Sequence, residues 1–77
     1  MSQDVVKELD TSGLECPLPI LKLKQALRGL DSGQRLRLIA TDPGSQSDVV
    51  AFAAQTGHRL IDSHSEGAKF FYIVEKA

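Results

Sequence analysis

Hydrophobic and polar residues follow one another along the chain with periods that predict strands and helices. Residues 5–9, which are β-branched at their start, predict a short strand, and Lys7, which breaks the alternation, favours an edge position in a sheet. The segment after the prolines has apolar residues at spacings of three and four, which predicts an amphipathic helix that ends near Gly29 or runs on to Leu30. These apolar residues are Ile20, Leu23, Ala26, Leu27 and Leu30.

A second strand and a second helix are predicted in the middle of the chain. Residues 36–40 carry aliphatic side chains on both faces, which is typical of a central strand. Ser45 and Asp48 have the spacing of a capping box, so a helix is predicted to begin there, and Gly57 is placed to end it in the left-handed conformation. The predicted inner stripe of this helix is Val49, Phe52, Ala53 and Thr56.

The last third of the chain predicts a hairpin. Residues 58–63 form a weak strand pattern, residues 66–67 a turn, and residues 69–75 a strong strand pattern. The resulting order, βαβαββ, predicts an α/β protein of the α+β two-layer sandwich type, with a mixed four-stranded sheet and two helices on one face. We expect residues 1–77 to form a single domain.

Composition excludes several classes of function. The chain has 77 residues and a formal net charge of −1, without the basic stripe that direct binding of nucleic acid requires. No apolar run approaches the ~18 residues of a membrane span, so no membrane association is expected. A single cysteine cannot form an internal disulfide, which indicates a reducing compartment. We expect a cytoplasmic protein that is a monomer.

The candidate chemistry lies in residues 13–19, Gly-Leu-Glu-Cys-Pro-Leu-Pro, here called the cysteine motif. Proline is tolerated in the first turn of a helix, so Pro17 is predicted at the first helical position and Pro19 at the third. Cys16 would then be the N-cap residue of the first helix.

A cysteine at a helix N-terminus is expected to be reactive. The partial positive charge and the unpaired amide hydrogens there stabilise a thiolate, so the pKa of Cys16 is predicted to lie below that of a free cysteine. The amides of Leu18 and Ile20 are the candidate hydrogen-bond partners of the sulfur. The alternative is a small buried core residue, but the position of Cys16 lies outside both apolar stripes.

Other residue types give weaker signals. A dithiol oxidoreductase needs a resolving cysteine where this chain has Pro19, so Cys16 acts alone or with a cysteine of another protein. His58 and His64 lack the close spacing of metal ligands and are interpreted as solvated strand residues. No metal ion and no organic cofactor is expected.

The cysteine motif, the helix after it and the pair Asp42 and Pro43 resemble the TusA/SirA-like sulfur carrier family over nearly the whole chain. The resemblance implies that Cys16 carries a persulfide, that Gly13, Pro17 and Pro19 form its scaffold, and that Asp42 and Pro43 belong to the neighbouring loop. It also implies a sulfurtransferase-like carrier that acts by transpersulfidation.

The same resemblance implies two kinds of partner. The donor would be a cysteine desulfurase or another sulfurtransferase, and the acceptor would be a sulfur-relay protein on the way to tRNA thiolation or to another sulfur or selenium pathway. The candidate partner contacts are Glu15, Leu18, Lys22, Asp42 and Pro43. Glu15 departs from the family pattern, in which well-known members have a basic residue before the cysteine.

Two other functions use the same residues. A regulatory or protein-interaction module could dock through the cysteine motif without carrying sulfur, and a single-thiol redox sensor could use Cys16 alone. A basic face on the first helix, with Lys22 at its start, is either simply solvated or a docking surface for an acidic partner.

Overall fold

The chain forms strands and helices in the predicted order βαβαββ, in a computed structural model that describes residues 5–77. The elements are β1 (Val5–Thr11), α1 (Leu18–Arg28), β2 (Arg35–Ala40), α2 (Ser45–Thr56), β3 (Arg59–Glu66) and β4 (Lys69–Glu75). The predicted two-layer α/β architecture is confirmed, with one mixed four-stranded sheet and two helices.

The sheet has the strand order β1-β2-β4-β3. β1 pairs with β2 in parallel, while β4 pairs in antiparallel fashion with both β2 and β3. The predicted edge position of β1 and central position of β2 are therefore confirmed. Because β1 and β2 are parallel neighbours, their carboxyl ends meet at one edge of the sheet, and the loops that follow them lie side by side.

Both helices pack on the sheet in a single core. Both the helices and the sheet contribute large buried side chains to this core, among them Leu23 and Leu27 of α1, Val49 of α2, Leu36 and Leu38 of β2, and Tyr72 and Val74 of β4. Thr56 was predicted in the inner stripe of α2, and this is wrong: it is exposed, and its hydroxyl donates to the carbonyl of Phe52 at 2.7 Å. That local bond satisfies the hydroxyl without a place in the core.

The predicted capping box at the start of α2 is also wrong. The N-cap position is Gly44, which makes no side-chain cap hydrogen bond, and Ser45 is the first helical residue. The Ser45 hydroxyl is buried and lies 2.7 Å from the hydroxyl of Tyr72, because a buried polar group needs a partner and the sheet supplies one. Gly57 ends the helix with φ of 82°, as predicted.

The strand boundaries differ from the predictions at polar residues. β1 continues through Thr11, whose buried hydroxyl donates to the carbonyl of Ile39 at 2.6 Å, so the strand extends beyond the predicted residues 5–9. β3 covers Arg59–Glu66 rather than residues 58–63, and the hairpin turn follows Glu66. Pairing with the strongly apolar β4 holds these polar residues in the sheet.

Neither helix is long enough to span a bilayer: α1 has 11 residues and α2 has 12, and residues 5–77 contain no membrane-spanning helix.

Candidate functional site

The loops after β1 and β2 are joined by a hydrogen bond. The N–H of Gly13 donates to the hydroxyl of Thr41 at 2.8 Å, and Gly13 has φ of 82°, a conformation that side chains other than glycine rarely adopt. The carboxylate of Asp10 accepts hydrogen bonds from the amide and the hydroxyl of Ser12, and these bonds lower the pKa of Asp10. The chain therefore leaves β1 along a defined path toward Cys16.

Cys16 precedes the helix by one position more than its sequence predicts. α1 begins at Leu18, with Pro17 at the N-cap position, so Pro17 is not the first helical residue and Cys16 is not the cap. The amide of Leu18 donates to the carbonyl of Glu15 at 2.8 Å and is thereby already paired with backbone, which corrects its expected role as a partner of the sulfur. The peptide bond between Cys16 and Pro17 is cis.

The scaffold of the motif is anchored in the core. Pro19 occupies the second helical position rather than the predicted third, and it is fully buried. Cys16 itself is exposed, as expected for a residue outside the apolar stripes. The motif thus holds a solvent-facing thiol on a proline that packs inside the domain.

A cleft of about 220 Å³ lies between the thiol and α2. One wall comes from the cysteine motif and α1, and the other comes from side chains at i, i+3, i+4 and i+7 on one face of α2. The lining residues are Cys16, Pro17, Ile20, Asp48, Ala51, Phe52 and Gln55. The cleft is smaller than the roughly 300 Å³ or more that small-molecule pockets usually have. It has room for a sulfur atom or for one side chain of a partner.

The electrostatics of the thiol are opposite to the prediction. The pKa of Cys16 is raised, first because the thiol donates a hydrogen bond to the carboxylate of Asp48, then because of desolvation, and then because of the negative charges of Asp48 and Asp42. The full negative charge of Asp48 raises the pKa of Cys16 by more than the partial positive charge at the start of α1 lowers it. The pKa of Cys16 is therefore raised, where the sequence predicts that it is lowered.

Asp48 is the site residue that sequence reasoning missed, because it was interpreted as a helix cap. The topology contained a signal: β1 and β2 were both predicted to lead into helices, and parallel neighbours place such loops at one edge. Asp48 lies in the first turn of α2 and lines the cleft opposite Cys16. Asp42 is partly buried in the neighbouring loop, and its charge also reaches the thiol.

The remaining candidate contacts lie on the surface. Glu15, Leu18, Lys22 and Pro43 are exposed, and Leu18 exposes 45% of its surface although it is apolar. Leu21, one turn further along α1, is 48% exposed. Leu18 and Leu21 give the helix an apolar surface close to the thiol, which sequence reasoning recognised only at Leu18.

Neither histidine lines the cleft, although the ring of His58 lies 5.7 Å from that of Phe52, which does. His58 accepts a hydrogen bond from the amide of Ala77 at 3.0 Å, and His64 stacks on Phe71 with ring centroids 5.1 Å apart. Within residues 5–77, no group of three or more His, Cys, Asp and Glu side chains is arranged to hold a metal ion.

The fold and the site define a small two-layer α/β domain built around one exposed thiol. The family profile of sulfurtransferase TusA matches residues 7–76 of the chain. The chain therefore belongs to the TusA family.

Individual relatives agree with this assignment. The sulfur carrier protein TusA of Allochromatium vinosum is 54% identical over 74 residues, which cover 96% of this chain and 97% of that protein. A putative sulfur carrier protein of Neisseria meningitidis serogroup A is 45% identical over 67 residues, covering 87% and 90% of the two chains. The crystal structure of a SirA-like protein from Desulfitobacterium hafniense superposes with a TM-score of 0.80 over 91% of this chain and 96% of that one. At 18% identity, this last likeness supports the fold alone.

Proposed function

We propose that this member of the TusA family is a sulfur carrier that bears the sulfur as a persulfide on Cys16. The observation that carries the proposal is the exposure of this single thiol on a rigid motif, in a family whose matched relatives are named sulfur carriers. An exposed sulfur can be reached by a cysteine of another protein, which a buried core cysteine cannot.

The reaction we propose is transpersulfidation. The sulfur of Cys16 attacks the terminal sulfur of a donor persulfide, so that a new S–S bond forms on Cys16 and the S–S bond of the donor breaks. The donor cysteine leaves as a thiolate and takes up the proton that Cys16 loses. In the second step an acceptor cysteine attacks the same terminal sulfur and releases Cys16 as a thiol. No oxidant or reductant is consumed, because each step only moves one sulfur atom from one cysteine to another and one proton in the opposite direction.

Two macromolecular partners follow from this reaction: a protein that supplies sulfur and a protein that accepts it. We propose a cysteine desulfurase or another sulfurtransferase as the donor and a sulfur-relay protein as the acceptor. Thiolation of tRNA, or another sulfur or selenium pathway, would use the product. We place the carrier in the cytoplasm, where a free thiol stays reduced.

The proposed carrier is distinguished from a redox sensor by the protonation of its thiol. Oxidation of cysteine follows thiolate character, and Asp48 raises the pKa of Cys16 and so lowers the thiolate fraction at neutral pH. A sensor needs the opposite arrangement.

The test is intact-protein mass spectrometry after incubation with a cysteine desulfurase and cysteine. We expect the wild-type chain to gain one sulfur atom, and Cys16→Ser to gain none while keeping its thermal midpoint, because the side chain is exposed. A docking module would gain no sulfur, and a sensor would instead gain oxygen from peroxide. Sulfur that appears equally on Cys16→Ser would contradict the proposal.

A further inference from the structure

The cleft beside Cys16 contains an acid and no base. Of its seven lining residues, which all lie in the described part of the chain, Asp48 alone carries a charge. Cys16 and Asp48 line the same cleft, and the carboxylate raises the pKa of the thiol by a hydrogen bond and by its charge. Any negative charge that forms on the sulfur therefore shares the cleft with another negative charge, and none of the lining residues supplies a positive one.

This arrangement differs from that expected of a site that retains an anionic sulfur. Thiolates and persulfide anions are stabilised by helix N-termini, by Lys, Arg or protonated His, or by a metal. Here the first helical amide after the thiol in the chain, that of Leu18, donates to the carbonyl of Glu15. Asp42, in the adjoining loop, adds a second negative charge to the surroundings of the sulfur.

We propose that Asp48 sets the direction in which sulfur moves through the carrier, by favouring the empty thiol over the loaded persulfide. The inference rests on the proposed function, since it concerns the same cysteine. A persulfide is a stronger acid than a thiol, so at neutral pH the loaded carrier bears an anion where the empty carrier bears a neutral S–H group. Asp48 accepts a hydrogen bond from the neutral thiol and repels the persulfide anion. Both effects favour release of the sulfur to an acceptor.

Asp48 is well placed for this role because its own position is fixed by packing. It lies one turn beyond Ser45, whose buried hydroxyl pairs with Tyr72 of β4 at 2.7 Å. Phe52, on the same face of α2, is buried in the core. The carboxylate makes no side-chain cap hydrogen bond for its helix, so its charge can be removed without loss of a cap.

The experiment measures how one sulfur atom is shared between two carriers. Wild-type protein is loaded with sodium polysulfide, freed of reagent, and mixed with an equal amount of unloaded Asp48→Asn that carries a mass tag. After exchange through the thiols has reached equilibrium, intact-protein mass spectrometry gives the loaded fraction of each. We expect the sulfur to favour Asp48→Asn severalfold at neutral pH and low salt, and less so at high salt, where charges are screened.

Two further variants separate charge from structure. Asp48→Glu restores the carboxylate and should bring the partition back toward equality with wild type. Asp42→Asn removes a charge that does not line the cleft, and its effect on the partition should be smaller than that of Asp48→Asn. Thermal midpoints of all variants establish that each is folded.

An equal partition between wild type and Asp48→Asn, or one that favours wild type, would overturn the inference. A severalfold partition that Asp48→Glu fails to reverse would do so as well, since the effect would then not depend on charge. If no variant with an intact Cys16 takes up sulfur from polysulfide or from a desulfurase, the proposed function itself fails, and this inference fails with it. The two failures can be told apart: the inference about Asp48 fails on the ratio between two loaded proteins, whereas the proposed function fails when no loaded protein forms at all.

Discussion

The hydroxyl of Ser45 at the start of α2 lies 2.7 Å from the hydroxyl of Tyr72 in the central part of the sheet, and both side chains are buried. This hydrogen bond connects the core to the helical turn that carries Asp48. Burial raises the pKa of Tyr72, so the neutral phenol is the form that the folded protein holds over the ordinary pH range.

Replacement of Tyr72 by Phe should therefore destabilise the protein, although the two side chains have nearly the same shape. The change leaves the buried hydroxyl of Ser45 without its partner, and an unsatisfied buried group costs about 1–3 kcal/mol. Urea unfolding measures the loss. The double variant Ser45→Ala with Tyr72→Phe is the control, because it removes both hydroxyls and should lose less than the sum of the two single changes. Simple additivity would show that the pair is not coupled.

A second prediction concerns the pH dependence of Cys16. Its raised pKa places the midpoint of alkylation by iodoacetamide above that of a free cysteine, which titrates near ~8.5. Asp48→Asn should lower this midpoint, since a neutral amide does not repel the thiolate, and Asp42→Asn should lower it less. Alkylation rates measured from about pH 6 to about pH 11, a range that spans the titration of a cysteine, give the midpoints of the wild type and of both variants.

The raised pKa of Cys16 also makes the stability of the folded protein depend on pH, and the direction of the shift fixes the sign of that dependence. The folded protein binds the Cys16 proton more tightly than the unfolded chain does, so the contribution is present below the ordinary cysteine pKa and is lost as the pH rises through the raised value. A midpoint at or below that of free cysteine would contradict both statements and would restore the simpler explanation from the helix dipole.

The contrast between the predicted and the observed thiol shows what the sequence could and could not provide. The element order, the edge position of β1 and the exposed Cys16 follow from local periodicity, from Lys7 and from the prolines, all of which are neighbours in the sequence. The cleft between Cys16 and Asp48 joins the loop after β1 to the first turn of α2, and only the parallel pairing of β1 and β2 brings these two segments together. Local reasoning assigned Asp48 to its own helix and so obtained the wrong direction for the thiol pKa.

Ser45 illustrates the same limit in the core. A serine followed three residues later by an acid is a good local signal for a helix cap, but the partner of its hydroxyl is a tyrosine from the last strand. The Ser45 hydroxyl pairs with this distant tyrosine in the core and therefore does not cap its own helix. Gly57 was predicted correctly because the left-handed conformation at a helix end depends on the residue itself.

The end of α2 gives a third prediction, which concerns stability alone. Gly57 has φ of 82°, and a Cβ built there would meet no atom within 4 Å. Gly57→Ala should therefore cost only the backbone penalty of about 1–2 kcal/mol for an L-residue in the left-handed conformation. In a domain of this size each kcal/mol corresponds to roughly 4–8 °C in thermal midpoint.

The matched control is Gly29→Ala at the end of α1. Gly29 has φ of −86°, which alanine adopts without strain, and the new methyl would meet the Ala26 carbonyl oxygen at an ordinary 3.6 Å. We expect this variant to be neutral or slightly more stable, because alanine reduces the entropy of the unfolded chain. Equal losses at the two positions would show that conformation does not explain the effect.

The last prediction concerns Glu15, the acidic residue that directly precedes the thiol in the cysteine motif. Its backbone carbonyl accepts the amide of Leu18, but its side chain is exposed, so Glu15→Arg should leave the loop intact. The pKa of Cys16 is raised first by the hydrogen bond to Asp48, then by desolvation and by the charges of Asp48 and Asp42, whereas the charge of the exposed Glu15 is screened by solvent. Replacement should therefore shift the alkylation midpoint only slightly.

The same replacement should change the rate of sulfur loading from a given desulfurase severalfold, because charges at the rim of an interface act mainly on association rate and partner choice. The change should shrink as salt is added. Glu66→Arg is the control: it alters the net charge equally from an exposed position on β3, a strand that does not line the cleft. If the two variants change the loading rate equally with several donor enzymes, the effect comes from overall charge, and Glu15 does not select the partner. If Glu15→Arg alone changes the rate while the alkylation midpoint stays fixed, partner selection and thiol chemistry reside in neighbouring but separable residues of the same motif.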